Sequence, residues 1–401
     1  MSPVTESHHP VRVTAGAGAT AVAIAGFQLG DRPLVLRDAA VDPTGLEMPA
    51  GAIDVCLDAQ SADGSSIAEL VSAGRHATAV VAFGGGATLD VAKIARLLIS
   101  TPRLVVPLRT LAARSGFVRL PEVVSTHGSA ELPLLAIPTT IGTGSEVSSV
   151  ACVVTPAGRR LVFSVGLRPN HAALDPVHTA TLPRSLQMEG LLEVILRVMG
   201  PAIGSKANLA ADHDAEAIVA RTTRLAESLR AGFLAPEERL LAAQLSAASH
   251  HSWALVGRET YAAKHWYLAN EIAWVTGARK IPATVSILPA LWGRIAEGDR
   301  RWGSRERLGL AWSWVRAVVP ELPRDVRGGL HALFLRWGVS PIATPSAQTQ
   351  HEAALRARTA WGGSLPALGR IDPCAIEEIF AESFATAAKP TTTRREEVMW
   401  K

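Results

Sequence analysis

The sequence predicts an α/β N-terminal domain with a doubly wound parallel sheet over residues 1–182, followed by an all-α C-terminal domain over residues 183–401. Three observations carry this. Short β-rich runs alternate with helical patterns in the first half, which argues for a parallel sheet. Past "LPRS" (182–185) nearly every run has helical periodicity. Two of the strand ends open into loops rich in glycine and hydroxyl residues. At 401 residues the chain is also too long for one ordinary core, so two domains are expected.

The strand runs are "PLVLRD" (33–38), "AVVAFGGG" (79–86) and "PLLAIPTT" (133–140), each apolar and each ending in a polar or glycine-rich turn. "ATLDVAKIARLLIS" (87–100) reads as a helix with Val91, Ala92, Ile94, Ala95, Leu97 and Leu98 on its apolar side. "ALDP" (173–176) and then "LPRS" close the region, and the domain boundary is placed near 183. The helical runs that follow are "EAIVARTTRLAESLRAGF", "PEERLLAAQLSAASHH", "ETYAAKHWYLANEIAWV", "ERLGLAWSWVRAVV" and "AIEEIFAESFATAA". The polar tail "KPTTTRREEVMWK" is expected to fray, with Trp400 able to dock. No internal repeat is present.

Composition narrows the function classes. With 48% hydrophobic and 19% charged residues, the chain has the profile of a soluble globular protein. Forty Lys plus Arg against 36 Asp plus Glu, with no dense basic block, is no nucleic-acid signature. No apolar window reaches the ~18 residues of a membrane span, and "MSPVTESHHP" lacks the parts of a signal peptide. Cys56, Cys152 and Cys374 lie far apart without metal-ligand spacing, which fits a reduced cytoplasm. Eight of the ten tryptophans fall between Trp253 and Trp337, and packing accounts for most of them better than ligand binding does.

Two loops carry the chemical signal. "GGGATLDVAK" (84–93) places Gly84, Gly85 and Gly86 at a strand end directly before a helix. Glycines let a backbone approach a ligand, and the first N–H groups of a helix suit a pyrophosphate. "IPTTIGTGSEVSS" (137–149) follows another strand and suits a loop wrapped around a polar ligand. A third stretch, "GLLEVILRVMG" (190–200), is an apolar helical run with one carboxylate, Glu193, and one guanidinium, Arg197, four residues apart on one face.

Together the two loops resemble the iron-dependent alcohol dehydrogenase and dehydroquinate synthase superfamily, whose marks are a GGGS-x-x-D-x-A-K loop and a P-T-T-x-G-T-G-S-E-V loop. Both stand here in order, the first with Ala87 in place of serine, and "ALDP" followed by "LP" is a third mark. The resemblance implies a dehydroquinate synthase-like fold: a dinucleotide-binding N-terminal domain, a helical C-terminal domain and an active site between them, with a homodimer as the suggested assembly. By position, Gly84, Gly85, Gly86 and Asp90 correspond to the pyrophosphate loop, and Thr139, Thr140, Thr143 and Ser145 to the loop lining the nicotinamide. Asp38 stands where relatives hold the adenosine ribose with a carboxylate, which favours NAD over NADP, while the neighbouring Arg37 pulls the other way. A strand-terminal turn residue is the plain alternative for Asp38. Arg160 falls near a family lysine that approaches the cofactor.

The dehydrogenases of this family hold a divalent metal on a carboxylate and histidines, and the metal polarises the alcohol oxygen. Counting from Asp175, the family carboxylate lands on Glu193, but the histidine four residues on is Arg197. A guanidinium cannot ligate a metal. His265 matches a further family histidine, whereas counting nine back from Pro289 lands on Lys280 rather than histidine. A second family histidine linked to proton transfer falls close to Asn270, and His250–His251 could offer a substitute ligand, though capping or solvation is the plainer role for that pair. Two cations would repel a bound divalent ion, so no metal is expected.

One reading is then a buried i,i+4 pair filling an abandoned site. The sharper one is that Arg197 and Lys280 replace the metal's charge, Arg197 as a fork for a carboxylate and Lys280 as a donor to an alkoxide. This expects oxidation of a β-hydroxy acid by NAD, loss of CO₂ from the β-keto acid, and proton relay by His265. The overall pattern is similar to the dehydrogenase-like proteins of daptide-type peptide pathways, which implies as substrate the C-terminal threonine of a ribosomally made peptide. The substrate is expected to be a peptide or a small hydroxy acid. A metal-dependent alcohol or polyol dehydrogenase and a non-catalytic binding scaffold are the alternatives.

Overall fold

The computed structural model describes residues 11–43, 45–60, 62–121, 132–363 and 365–385; Trp400 and its tail lie outside them. Nine strands are present among the described residues: β1 (Arg12–Ala15), β2 (Leu34–Asp38), β3 (Ile53–Leu57), β4 (Val80–Gly84), β5 (Phe117–Arg119), β6 (Leu134–Pro138), β7 (Val150–Thr155), β8 (Gly158–Phe163) and β9 (His171–Leu174). Six form an all-parallel sheet in the order β1-β9-β6-β4-β2-β3. β4 and β6 are buried at every position, which is why both read as unbroken apolar runs rather than alternating ones. A smaller sheet, β5-β8-β7, contains the antiparallel β7–β8 hairpin.

Four helices accompany the strands: α1 (Ala19–Ala25), α2 (Gly64–Ala73), α3 (Gly86–Ser100) and α4 (Val105–Ala112). The last strand ends at Leu174, and from Arg184 onward the regular elements are helical. They are α5 (Arg184–Gly204), α6 (Leu209–Ala231), α7 (Pro236–His251), α8 (His265–Thr276), α9 (Lys280–Ala296), α10 (Arg305–Arg316), α11 (Val326–Trp337), α12 (Ala347–Trp361) and α13 (Pro373–Phe384). The apolar sides of α5 to α13 share one core, which also takes in Ile141, Val147, Ala172 and Leu174 from the sheet half. Trp292, Trp302, Trp312, Trp314 and Trp337 are all buried in that core, as the packing reading of the tryptophan-rich stretch requires. Trp253 departs from it and is 66% exposed. Among the described residues no helix is long and apolar enough to cross a membrane.

The sheet order places the ligand crevice. From β2 the chain steps outward to β3, then returns past β2 to β4 and continues through β6 and β9 on the other side. The direction reverses between β2 and β4, and ligands of open α/β sheets bind at the carboxyl ends of strands at such a point. Asp38 ends β2 and Gly84 ends β4.

Candidate active site

At the crevice, Gly85 caps α3 without any side-chain hydrogen bond, so the first N–H groups of the helix keep their outward-directed donors. The glycines are also required by packing. A Cβ on Gly85 would lie 3.1 Å from the Thr140 methyl, and one on Gly86 2.7 Å from that of Thr143. The two motif loops therefore touch each other. The hydroxyls of Thr139 and Thr140 are buried and have no hydrogen-bond partner among the described residues. Buried polar groups are ordinarily satisfied, so these two donors fit a polar ligand drawn into the crevice. Asp38 accepts from the Ala40 amide at 3.0 Å and from the Thr88 hydroxyl at 3.3 Å. Arg37 points to the other face of the strand and grips Asp54 with two bonds, 2.8 and 2.5 Å, so it does not contest the ribose position. Uncapped amides, glycine turn, partnerless hydroxyls and terminal carboxylate together fit a dinucleotide.

Asp90 corrects the sequence reading. Its carboxylate does not face the pyrophosphate position. One oxygen accepts from the Ser145 hydroxyl and the other from the Cys152 amide at 2.8 Å. One turn on, Lys93 is wholly buried and its ammonium donates to the Ser145 carbonyl (3.0 Å), the Ser145 hydroxyl (2.9 Å) and the Ser148 hydroxyl (3.2 Å). Asp90 and Lys93 are the struts that fix the 139–149 loop on α3. Next to them Glu146 is 2% exposed, and burial pushes its carboxyl up to about 7. Neither Lys93 nor Glu146 was singled out from the sequence, although both stand inside the quoted motifs; only their long-range partners disclose what they do.

On the helical side, Glu193, Arg197 and Lys280 do converge. The Glu193 Oε1 accepts from the Arg197 Nη2 at 2.7 Å and from the Lys280 Nζ at 2.9 Å. Burial alone would raise the Glu193 carboxyl, but the two cations more than offset it and hold it below the usual range. Lys280, at the first turn of α9, is the outward member, with 44% of its side chain exposed and its ammonium 4.1 Å from the centre of the Trp266 ring. Arg197 is turned the other way. Its Nη1 donates to the carbonyls of Gly142 (2.8 Å) and Thr143 (2.9 Å), and its side chain is 13% exposed. The expected carboxylate fork is thus directed at the backbone of the 139–149 loop.

Three further expectations are corrected. His265 is 1% exposed, packed against Trp266, Trp292 and Gly200, and its Nε2 has no partner among the described residues. Burial, aided by Lys280, pushes its pKa down to about 3, so the imidazole stays neutral and is too weak a base to relay a proton near neutrality. Arg160 is buried on the inner face of β8, donating to the carbonyls of Ala112, Ala157 and Arg159 and lying 3.6 Å from Glu271; it is spent on structure, not on a cofactor. Asn270 donates to the Arg159 carbonyl and to Glu271. His250 donates its Nε2 proton to the Thr143 carbonyl at 2.8 Å, which ties the ring to the 139–149 loop. Among the described residues no group of three His, Cys, Asp or Glu side chains could hold a metal ion. The donor set does not fit one: the Glu193 carboxylate is held by two cations, whose joint charge exceeds its own and would repel a divalent ion.

Residues 53–176 match the sequence model of the family described as iron-containing alcohol dehydrogenase. The matched segment is thus similar to that family over under a third of the chain. The chain is 39% identical over 106 residues to a probable alcohol dehydrogenase EutG of Salmonella typhimurium, covering 26% of this chain and 24% of that one. It is 33% identical over 134 residues to a 4-hydroxybutyrate dehydrogenase of Cupriavidus necator, covering 32% and 33%. The chain thus spans a quarter to a third of the length of these curated relatives. The fold likeness extends over 94–96% of this chain. An iron-containing alcohol dehydrogenase from Thermococcus thioreducens superposes with a TM-score of 0.75 at 17% identity, covering 94% of this chain and 99% of that one. A maleylacetate reductase from Agrobacterium tumefaciens gives 0.69 at 18% identity, covering 96% and 99%. The α/β-plus-helical fold is that of these solved structures, and the sequence match lies in the half that carries the two motif loops.

Proposed function

We propose that this protein is an NAD-dependent oxidoreductase that oxidises a β-hydroxy acid without a metal and lets the product lose CO₂. One observation carries the reading: where the family would place a metal, Glu193 is bracketed by Arg197 and Lys280 at 2.7 and 2.9 Å. A fixed positive charge there can do what a Lewis acid does to an oxygen. The names of the matched relatives, a 4-hydroxybutyrate dehydrogenase and a hydroxyacid-oxoacid transhydrogenase, support a hydroxy acid as the substrate class.

The bound nicotinamide would supply a hydride acceptor. Lys280, the exposed cation, donates to the substrate oxygen while its proton leaves to solvent and the C–H bond is broken, giving a β-keto acid. The bond to the carboxylate then cleaves, its electron pair passes to the α-carbon as an enolate whose oxygen Lys280 holds, and CO₂ departs. A proton from solvent on the α-carbon completes the ketone. Buried neutral His265 supplies the apolar wall rather than a proton. A C-terminal threonine has a β-hydroxyl beside a free carboxylate, which suits this chemistry and the daptide-type resemblance of the sequence. We place the reaction in the cytoplasm.

The test is NADH formation and CO₂ release with peptides ending in threonine and with small β-hydroxy acids, in the presence of a chelator, on protein analysed for metals. Turnover without stoichiometric zinc or iron is expected. The second reading, a metal-dependent alcohol dehydrogenase, is favoured by the family match of residues 53–176. Stoichiometric metal with chelator-sensitive turnover of simple alcohols would establish it instead. NADH binding with no turnover of any substrate would point to a scaffold.

A further inference from the structure

The 139–149 loop is held from two sides by different chemistry. On the α3 side Lys93 and Asp90 grip Ser145. On the helical side the Gly142–Thr143 peptide units meet α5 and α7. The Gly142 amide donates to the Ser246 hydroxyl at 3.0 Å, and the Thr143 carbonyl accepts from His250 at 2.8 Å and Arg197 at 2.9 Å. The Gly142 carbonyl accepts from Arg197 at 2.8 Å. Gly142 (φ 101°) and Gly190 meet backbone to backbone, a Cβ on the first falling 2.5 Å from the Cα of the second. Directly across the loop, Thr140 and Thr143 rest on Gly85 and Gly86.

We propose that Arg197 is a positioning residue for the nucleotide: its guanidinium fastens the Gly142–Thr143 backbone to α5 and thereby sets the loop against the glycine turn, while Lys280 alone is presented to the substrate. The inference concerns the site of the proposed dehydrogenase and rests on that reading for the nucleotide. Donor arithmetic explains the residue type. An imidazole has at most two N–H donors, on opposite sides of a ring, and cannot serve two carbonyls and a carboxylate together; a guanidinium has five in a planar fork. Glu193 completes the device by joining Arg197, on the loop, to Lys280, at the cleft.

The experiment uses the full chain with Arg197→Lys, Arg197→Gln and Arg197→Ala, and Lys280→Met as comparator. NADH affinity is read by nicotinamide fluorescence, and amide hydrogen exchange of residues 139–149 is read without nucleotide. Losing charge-assisted bonds to two carbonyls is expected to weaken NADH about tenfold in Arg197→Gln and Arg197→Ala. Arg197→Lys should recover part of this, and Lys280→Met should leave NADH affinity within about twofold, its effect falling on kcat. Exchange in the loop should rise in Arg197→Gln and not in Lys280→Met. If Arg197→Ala does not fold, Arg197→Lys and Arg197→Gln still decide the matter. Unchanged loop exchange in a folded Arg197 variant overturns the proposal, as does unchanged NADH affinity with a raised substrate KM. Failure of the parent protein to bind NADH would instead overturn the nucleotide reading and leave loop exchange to judge Arg197.

Discussion

At the ends of β4 and β6 the hydroxyls of Thr139 and Thr140 are buried and lack partners among the described residues, while a short distance away on α5 and α9 every charge that defines the pocket is answered by another side chain or a carbonyl. The first region is polar surface whose hydrogen bonding a ligand can complete; the second is complete by itself. A metal site of the family's kind would resemble the first, with donors that converge on an ion and repel one another without it. Here the carboxylate is bound to two cations, so the cluster keeps a net positive charge in place of the repelling donors an ion would join. The contrast teaches that an intact loop motif and an altered ligand set within one cleft are separate statements about what binds there.

Three substitutions press on this contrast, in falling order of expected effect. Gly142→Ala attacks the point where the two regions meet, since its Cβ would collide with Gly190 and its φ of 101° disfavours any side chain. We expect about 3 kcal/mol lost in urea unfolding together with loss of NADH binding; a variant as stable as the parent would mean that the loop and α5 can slide freely. Glu193→Gln leaves Arg197 and Lys280 facing each other without their shared counter-charge. With Lys280 half-exposed, the cost should be nearer to about 2 kcal/mol than to the larger figures for fully buried pairs. If denaturant midpoints showed no change, the self-contained picture of the helical side would fail.

The smallest effect is a pH slope. His265 has its folded pKa depressed from 6.5 to about 3 by burial and by Lys280, so the folded state resists protonation. Its contribution to stability is complete above about pH 6.5 and is lost as pH falls toward 3, because the unfolded chain takes up the proton first. His250 shifts in the same direction, through burial and Arg197. Urea midpoints measured between those limits should fall more steeply in the parent than in His265→Gln; parallel curves would show that the imbalance lies elsewhere.

Much of this was legible in the chain. The runs 33–38, 79–86 and 133–140 became β2, β4 and β6, and 87–100 became α3, because apolar periodicity and the glycines at the strand ends are local signals. Counting along the resemblance also singled out Glu193 and Lys280, which the structure joins across 87 residues of chain. What stayed hidden was direction. Spacing told that Arg197 adjoins Glu193, but not that its second nitrogen would reach carbonyls 54 and 55 residues upstream. Arg160 shows the same limit in a strand: in β8 successive side chains take opposite faces, so choosing between Arg159 and Arg160 chooses between the outer face and the buried one. The strut role of Asp90 needed Ser145 and Cys152, which no local pattern connects to it.

Lysine is scarce in this chain, with Lys93, Lys206, Lys264 and Lys280 the only ones among the described residues. Lys93 is 0% exposed and its ammonium is locked into the 139–149 loop, whereas the Lys280 side chain is 44% exposed at the cleft. Acylation needs a reachable amine, so a reagent meeting the native protein marks Lys280 and spares Lys93 until the loop comes away from α3. The two amines thereby act as chemical clocks running at different rates, one for access to the helical side and one for release of the 139–149 loop from α3.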